Sequence, residues 1–161
     1  MKPTTAGSHT RSYVTLGVDA DVFAVEVSYV REILDCPEIS SLPHAPAFLA
    51  GMIDVRGRAV PVVDLRRKLG FPPTDVTGNS RILVLEIPAS PRQLVLGLLC
   101  DRVFDVAEFD ADGLESAPEV GVGWKSEYIR SIGRWRGRFV IIFDMERLFS
   151  SNEVARLDGG P

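Results

Sequence analysis

The chain has 161 residues, 45% of them hydrophobic and 25% charged, with a formal charge of -4. Such a composition can bury a real core, and one domain or two small fused ones is the expectation. An acidic balance argues against a phosphate-binding surface, which depends on accumulated Lys and Arg, and no window nears the ~18 uninterrupted apolar residues of a membrane span.

Residues 1–12 read as a disordered polar tail without the apolar stretch of a secretory signal, so a cytoplasmic location is expected. Order begins near Tyr13, where "YVTLGV" and "VFAVEV" read as two short strands around a polar turn, with "VREIL" as a third. "CPEISSLPHAPAF" carries Pro37, Pro43 and Pro46, each lacking a ladder donor, and must be an edge or a loop. "GMIDV" and "AVPVVD" flank Arg56-Gly57, which supplies the positive φ of a tight hairpin turn. Asp64 is placed to cap the helical "LRRKL", and Gly70 suits the left-handed position after it. "RILVLEI", "QLVLGLLC" and "RVFDVAEF" read as strands, the middle one covered on both faces because its alternation is weak. "YIRSIGRW" and "RFVIIFD" flank Gly137 as a further hairpin, and Asp144 caps "MERLF". Ser150 and Glu153 resemble a capping box that opens a short helix in the C-terminal tail, 151–161.

The chain repeats itself. A shift of 80 lays Arg56, Gly57, Arg58, Val60, Asp64 and Arg67 on Arg136, Gly137, Arg138, Val140, Asp144 and Arg147. A shift of 73 lays "AVEVSYVREI" over "GLLCDRVFDV". Two copies of one β unit are expected, in halves of about 13–72 and 80–150, each burying a face against the other; strands exchanged between the halves are allowed for.

Chemistry is hard to find. His9 lies in the tail and His44 between prolines, so a triad would rest on His44 alone. Cys36 and Cys100 match neither a redox pair nor a zinc knuckle and read as small buried thiols, and no metal or cofactor is expected. "GVGW" lacks the helix and third glycine of a dinucleotide loop. Arg56, among Met52, Ile53 and Val55, is the residue that looks like a binding group, since a planar guanidinium in a mixed surface suits partner recognition. Charge is also uneven, with seven acidic residues over 101–119 and five basic ones over 125–138, a solvated face or a docking patch.

"LPHAPAFLAGMIDVRGRAVPVVDLRRKLG" resembles the signature of the CheW-like chemotaxis coupling proteins, and "VFAVEVSYVREIL", "GLLCDRVFDVAEF", "SAPEVG" and "GRFVIIFDMERLF" resemble its other pieces. The resemblance covers residues 13–150. It implies a mainly β fold of two five-stranded SH3-like barrels side by side with short capping helices. It also implies a non-enzymatic adaptor joining the cytoplasmic tip of a methyl-accepting chemoreceptor to the regulatory domain of a CheA-type histidine kinase, recruited to membrane-associated arrays. Position by position it places Val30, Glu32, Ile33, Arg56 and Gly57 in receptor contact, and Glu119 and Val120 in kinase contact. Two departures stand out: Val120 where relatives often carry an aromatic, and a second hairpin made basic and aromatic by Arg134, Trp135, Arg136 and Arg138. An adaptor of a surface-motility or developmental pathway would share the fold. A nucleic-acid-binding barrel using Arg134, Trp135 and Arg138, and a hydrolase using His44, are the rival classes.

Overall fold

The computed structural model of the chain describes residues 10–88, 93–116 and 126–149. Strands β1 (Thr10–Val18), β2 (Asp21–Glu26) and β3 (Val30–Asp35) come first, then the hairpin β4 (Leu49–Val55) and β5 (Arg58–Asp64). Helix α1 (Leu65–Leu69) follows without a break. Strands β6 (Arg81–Ile87), β7 (Leu94–Cys100) and β8 (Arg102–Asp110) lead to a second hairpin, β9 (Ile129–Trp135) and β10 (Arg138–Phe143), and helix α2 (Met145–Leu148).

Local chemistry explains the turns. Arg56 and Gly57 adopt φ of 51° and 83°, and Arg136 and Gly137 adopt 52° and 77°, the two successive positive values of a two-residue hairpin turn. The Asp64 carboxylate accepts from the backbone N–H of Arg66, and Gly70, at φ 88°, ends α1 in the left-handed region. Asp144 accepts from the N–H of Arg147 in the same way.

The strands form two five-stranded mixed sheets, ordered β8-β1-β2-β10-β9 and β3-β6-β7-β5-β4. Each draws strands from both halves of the sequence: β10 runs parallel to β2, and β5 parallel to β7. Matching the orders sets β3 against β8 and the β4-β5 hairpin against β9-β10, as the two sequence shifts imply. Even the bulges match, since Arg31 is the extra residue on β3 and Phe104 on β8, while Ala50 and Arg130 are the extra residues on β4 and β9.

The expected barrels are not there. Neither sheet closes, for β3 and β4 are free ends of one and β8 and β9 of the other. Closure would need a continuous ladder between those end strands. Beyond β3 the chain enters its proline-bearing segment and touches β4 through a single bridge, Ser40 to Met52. Beyond β8 a short 3-10 turn at Ala111–Gly113 intervenes, and again one bridge, Glu115 to Ile132, reaches β9.

Three clusters hold the molecule together. The largest lies between the sheets, where Val14, Leu16, Phe23 and Val25 meet Leu83, Leu85, Leu96 and Leu98, with Leu65 and Leu148 from the helices. Smaller clusters fill the inner curve of each sheet, around Tyr13, Phe109 and Val140 in one and Ile53, Val62 and Ile82 in the other. Strand β7 is buried on both faces. Burial pushes the Cys100 thiol up to about 12, which makes it inert; Cys36 is half-buried. Among the described residues no helix is long and apolar enough to cross a membrane.

Candidate functional site: an arginine-carboxylate clasp at an open sheet edge

The bulge at Arg31 re-aims the next residue, so Glu32 on edge strand β3 faces the tip of the β4-β5 hairpin. There Arg56 grips it with both terminal nitrogens, Nη1 to Oε2 at 2.5 Å and Nη2 to Oε1 at 3.0 Å. This bidentate pair spans the opening that the backbone leaves unclosed. Arg56 is 76% exposed and Glu32 24%. Hydrogen bonding from Arg56 holds the Glu32 carboxyl below its ordinary range. The turn beneath is fixed by the Gly57 N–H, which donates to Asp54 Oδ1 at 2.7 Å.

Of the other residues the resemblance points to, Ile33 is exposed on β3, 41% accessible, while Val30 is half-buried against the central core. Glu119 and Val120 lie outside the described residues. The surroundings expected for Arg56 need one correction. Ile53 is buried in the sheet's inner cluster and Val55 packs on that cluster, so Met52, half-buried, alone stays clear of it. Asp64, Gly70, Gly137 and Asp144 sit at caps and turns, as described above.

Two features escape a reading of the sequence. First, Arg56 is already engaged within the chain; the signal lay in the two shifts together, which set Glu32 on Asp105 and Arg56 on Arg136. Second, Arg66 of α1 is buried. Its guanidinium reaches Asp101 at 2.7 Å and Asp19 at 3.3 Å, and its Nε donates to the Pro72 carbonyl, tying α1 to the turns at the ends of β1 and β7. Lys68 is buried too, with Nζ over the rings of Phe48 and Tyr128.

Nothing here is arranged for a reaction. His44 is exposed in the proline-bearing loop, and among the described residues no cluster of His, Cys, Asp and Glu could hold a metal. The Asp64 carboxyl is pushed up by burial but is occupied as a cap. What the edge offers is an ion-paired frame beside the exposed Ile33, which is recognition chemistry. The family model for the CheW-like domain matches residues 12–153. The chain belongs to the CheW-like family. It is similar to the probable chemotaxis protein CheW of Rhizobium etli, 30% identical over 143 residues, covering 89% of this chain and 90% of that one. The chemotaxis protein CheW of Klebsiella aerogenes is 31% identical over 136 residues, 84% of this chain and 80% of that one. Among solved structures, the scaffolding protein TtCheW of Thermoanaerobacter tengcongensis superposes with a TM-score of 0.77 at 25% identity, over 89% of this chain and 94% of that one. As a member of this family the protein is a non-catalytic scaffold that links chemoreceptors to CheA kinase in chemotaxis signalling.

Proposed function

We propose that this CheW-like scaffold seats the chemoreceptor's cytoplasmic tip on the β3 edge, with Val30, Ile33 and Gly57 as the contact and the Arg56–Glu32 clasp as its frame. The kinase's regulatory domain takes the turn carrying Glu119 and Val120, and receptor binding brings the scaffold to membrane-associated arrays. The observation that supports the receptor half is the clasp itself: a bidentate ion pair bridging the two free edge strands, on the residue next to the exposed Ile33. A receptor helix laid there meets an apolar anchor rimmed by charge, the usual composition of an interface centre. Modest contacts repeated across an array then give stable assembly.

Purified protein titrated with a receptor tip fragment and, separately, with a kinase regulatory domain tests this division. Ile33→Ser should weaken receptor binding by about tenfold and leave the kinase domain's affinity unchanged, given the ~1.4 kcal/mol that a tenfold change represents. Equal affinity of Ile33→Ser and the parent chain for the receptor fragment would refute the assignment.

A further inference from the structure

The edge opposite the first clasp is built on the same plan with different side chains. Arg136 Nη2, at the tip of the second hairpin, meets Asp105 Oδ2 of β8 at 3.1 Å, the counterpart of Arg56 on Glu32. At the β3 bulge stands Arg31, which turns away to Glu86, but at the β8 bulge stands Phe104. Phe104 lies across Gly17 of β1, where a Cβ would come within 3.0 Å of its ring. Trp135 packs on Phe104 with ring centroids 5.6 Å apart. The Arg136 guanidinium sits 4.5 Å over the Trp135 ring and that of Arg102 sits 5.8 Å over Phe104. Four side chains thus make one continuous strip across the open edge, two packed rings with a guanidinium over each, and Val106, 55% exposed, lies two residues beyond Phe104 on β8. Among the described residues Arg102 has no ion-pair partner, and Arg136 uses one nitrogen on an exposed carboxylate.

We propose that this strip is a second docking surface, distinct from the one at Arg56, for an acidic segment of a partner protein that carries a bulky apolar anchor. Arginine and tryptophan are the residue types that dominate interface energetics, and stacking on aromatic rings holds the guanidiniums in place before a partner arrives. Charge complementarity selects an acidic partner: Arg102 and Arg136 present unfilled donors, and a carboxylate is the ligand that fits a planar fork. A nucleic acid would also meet cations and rings, but a polyphosphate tract depends on a run of Lys and Arg and the strip offers only Arg102 and Arg136, which match a segment presenting one or two carboxylates. The first edge, with Arg31 in place of Phe104 and Val55 in place of Trp135, has no such strip, so the two edges discriminate between partners.

The probe is a synthetic peptide of glutamate, leucine and phenylalanine in amphipathic order, titrated into the full chain and followed by amide chemical-shift changes. The expected result is shifts centred on Phe104, Val106 and Trp135, affinity at least about tenfold weaker in Arg102→Glu/Arg136→Gln, and unchanged affinity in Arg58→Glu of the first hairpin. An unchanged thermal melt shows that the double variant is folded; should it melt early, Arg102→Glu alone, at an exposed residue with no ion-pair partner among the described residues, carries the test. Shifts centred on the first hairpin, equal binding of a lysine-for-glutamate peptide, or a single-stranded oligonucleotide binding the strip more tightly than the peptide would overturn the proposal.

Discussion

The two open edges of this molecule share a backbone and differ in the side chains around it. Both have a bulged end strand, a hairpin with two left-handed residues at its tip, and an arginine reaching from the tip to a carboxylate on the end strand. At the first edge the pair is bidentate and the neighbouring apolar residue is an isolated Ile33; at the second it is single and surrounded by rings. Duplication has therefore preserved the device that spans an unclosed sheet while the surface around it diverged.

The largest effect is expected at Gly51, whose counterpart after a shift of 80 is Ser131. Gly51 has φ 148° and a Cβ there would lie 2.2 Å from the Ser40 carbonyl oxygen, so the single bridge to β4 depends on a missing side chain. Gly51→Ala should cost about 3 kcal/mol, read as a lowered urea midpoint, through overpacking against backbone and an unfavourable φ. Next in size is Arg66→Leu. It strands the partly buried Asp101 carboxylate and removes a buried guanidinium's bonds to Asp19 and the Pro72 carbonyl, and a loss of about 2 kcal/mol is expected in the same measurement. Because Arg66 ties turns of both sheets to one helix, the transition should stay single in the parent chain and broaden in the variant.

The clasps themselves are exposed, and removing either should move the melt little. Their signature is instead in titration. The folded-state pKa of Glu32 is depressed by Arg56, so the clasp's contribution is present above the ordinary carboxylate value of 4.5 and is lost as pH falls through the lower folded value. Carbon-detected titration should find Glu32 ionising below 4.5, and Arg56→Ala should return it toward that value. The smallest effect is expected at Ser131→Ala. The buried Ser131 hydroxyl has no hydrogen-bond partner among the described residues, so its loss should leave stability unchanged or slightly raised.

What the sequence disclosed was local. Arg-Gly at a hairpin tip, Asp64 and Asp144 as caps and Gly70 as a helix stop each depend on a few neighbouring residues, and each reads directly from the chain. The repeat was legible for the same reason, as a pattern within one string. Closure was not, because it depends on whether strands far apart in sequence complete a ladder, and the resemblance to closed barrels carried no information about the single bridges at Ser40 and Glu115. Arg56 stood out by its place at a turn, yet its engagement with Glu32 belongs to the third dimension. Nothing in "LRRKL" marks Arg66 as the buried arginine and Arg67 as the exposed one; only the approach of Asp19 and Asp101 decides it.

The most direct test of the account is receptor-dependent control of CheA kinase, measured in a mixture of receptor, kinase and scaffold with Arg56→Ala in place of the parent chain. The account predicts that control is lost while the circular dichroism melt is retained and the variant still binds the kinase. Full receptor control by a well-folded Arg56→Ala scaffold would contradict it, and so would a collapsed melt, which would make the arginine a structural prop instead of part of the docking edge.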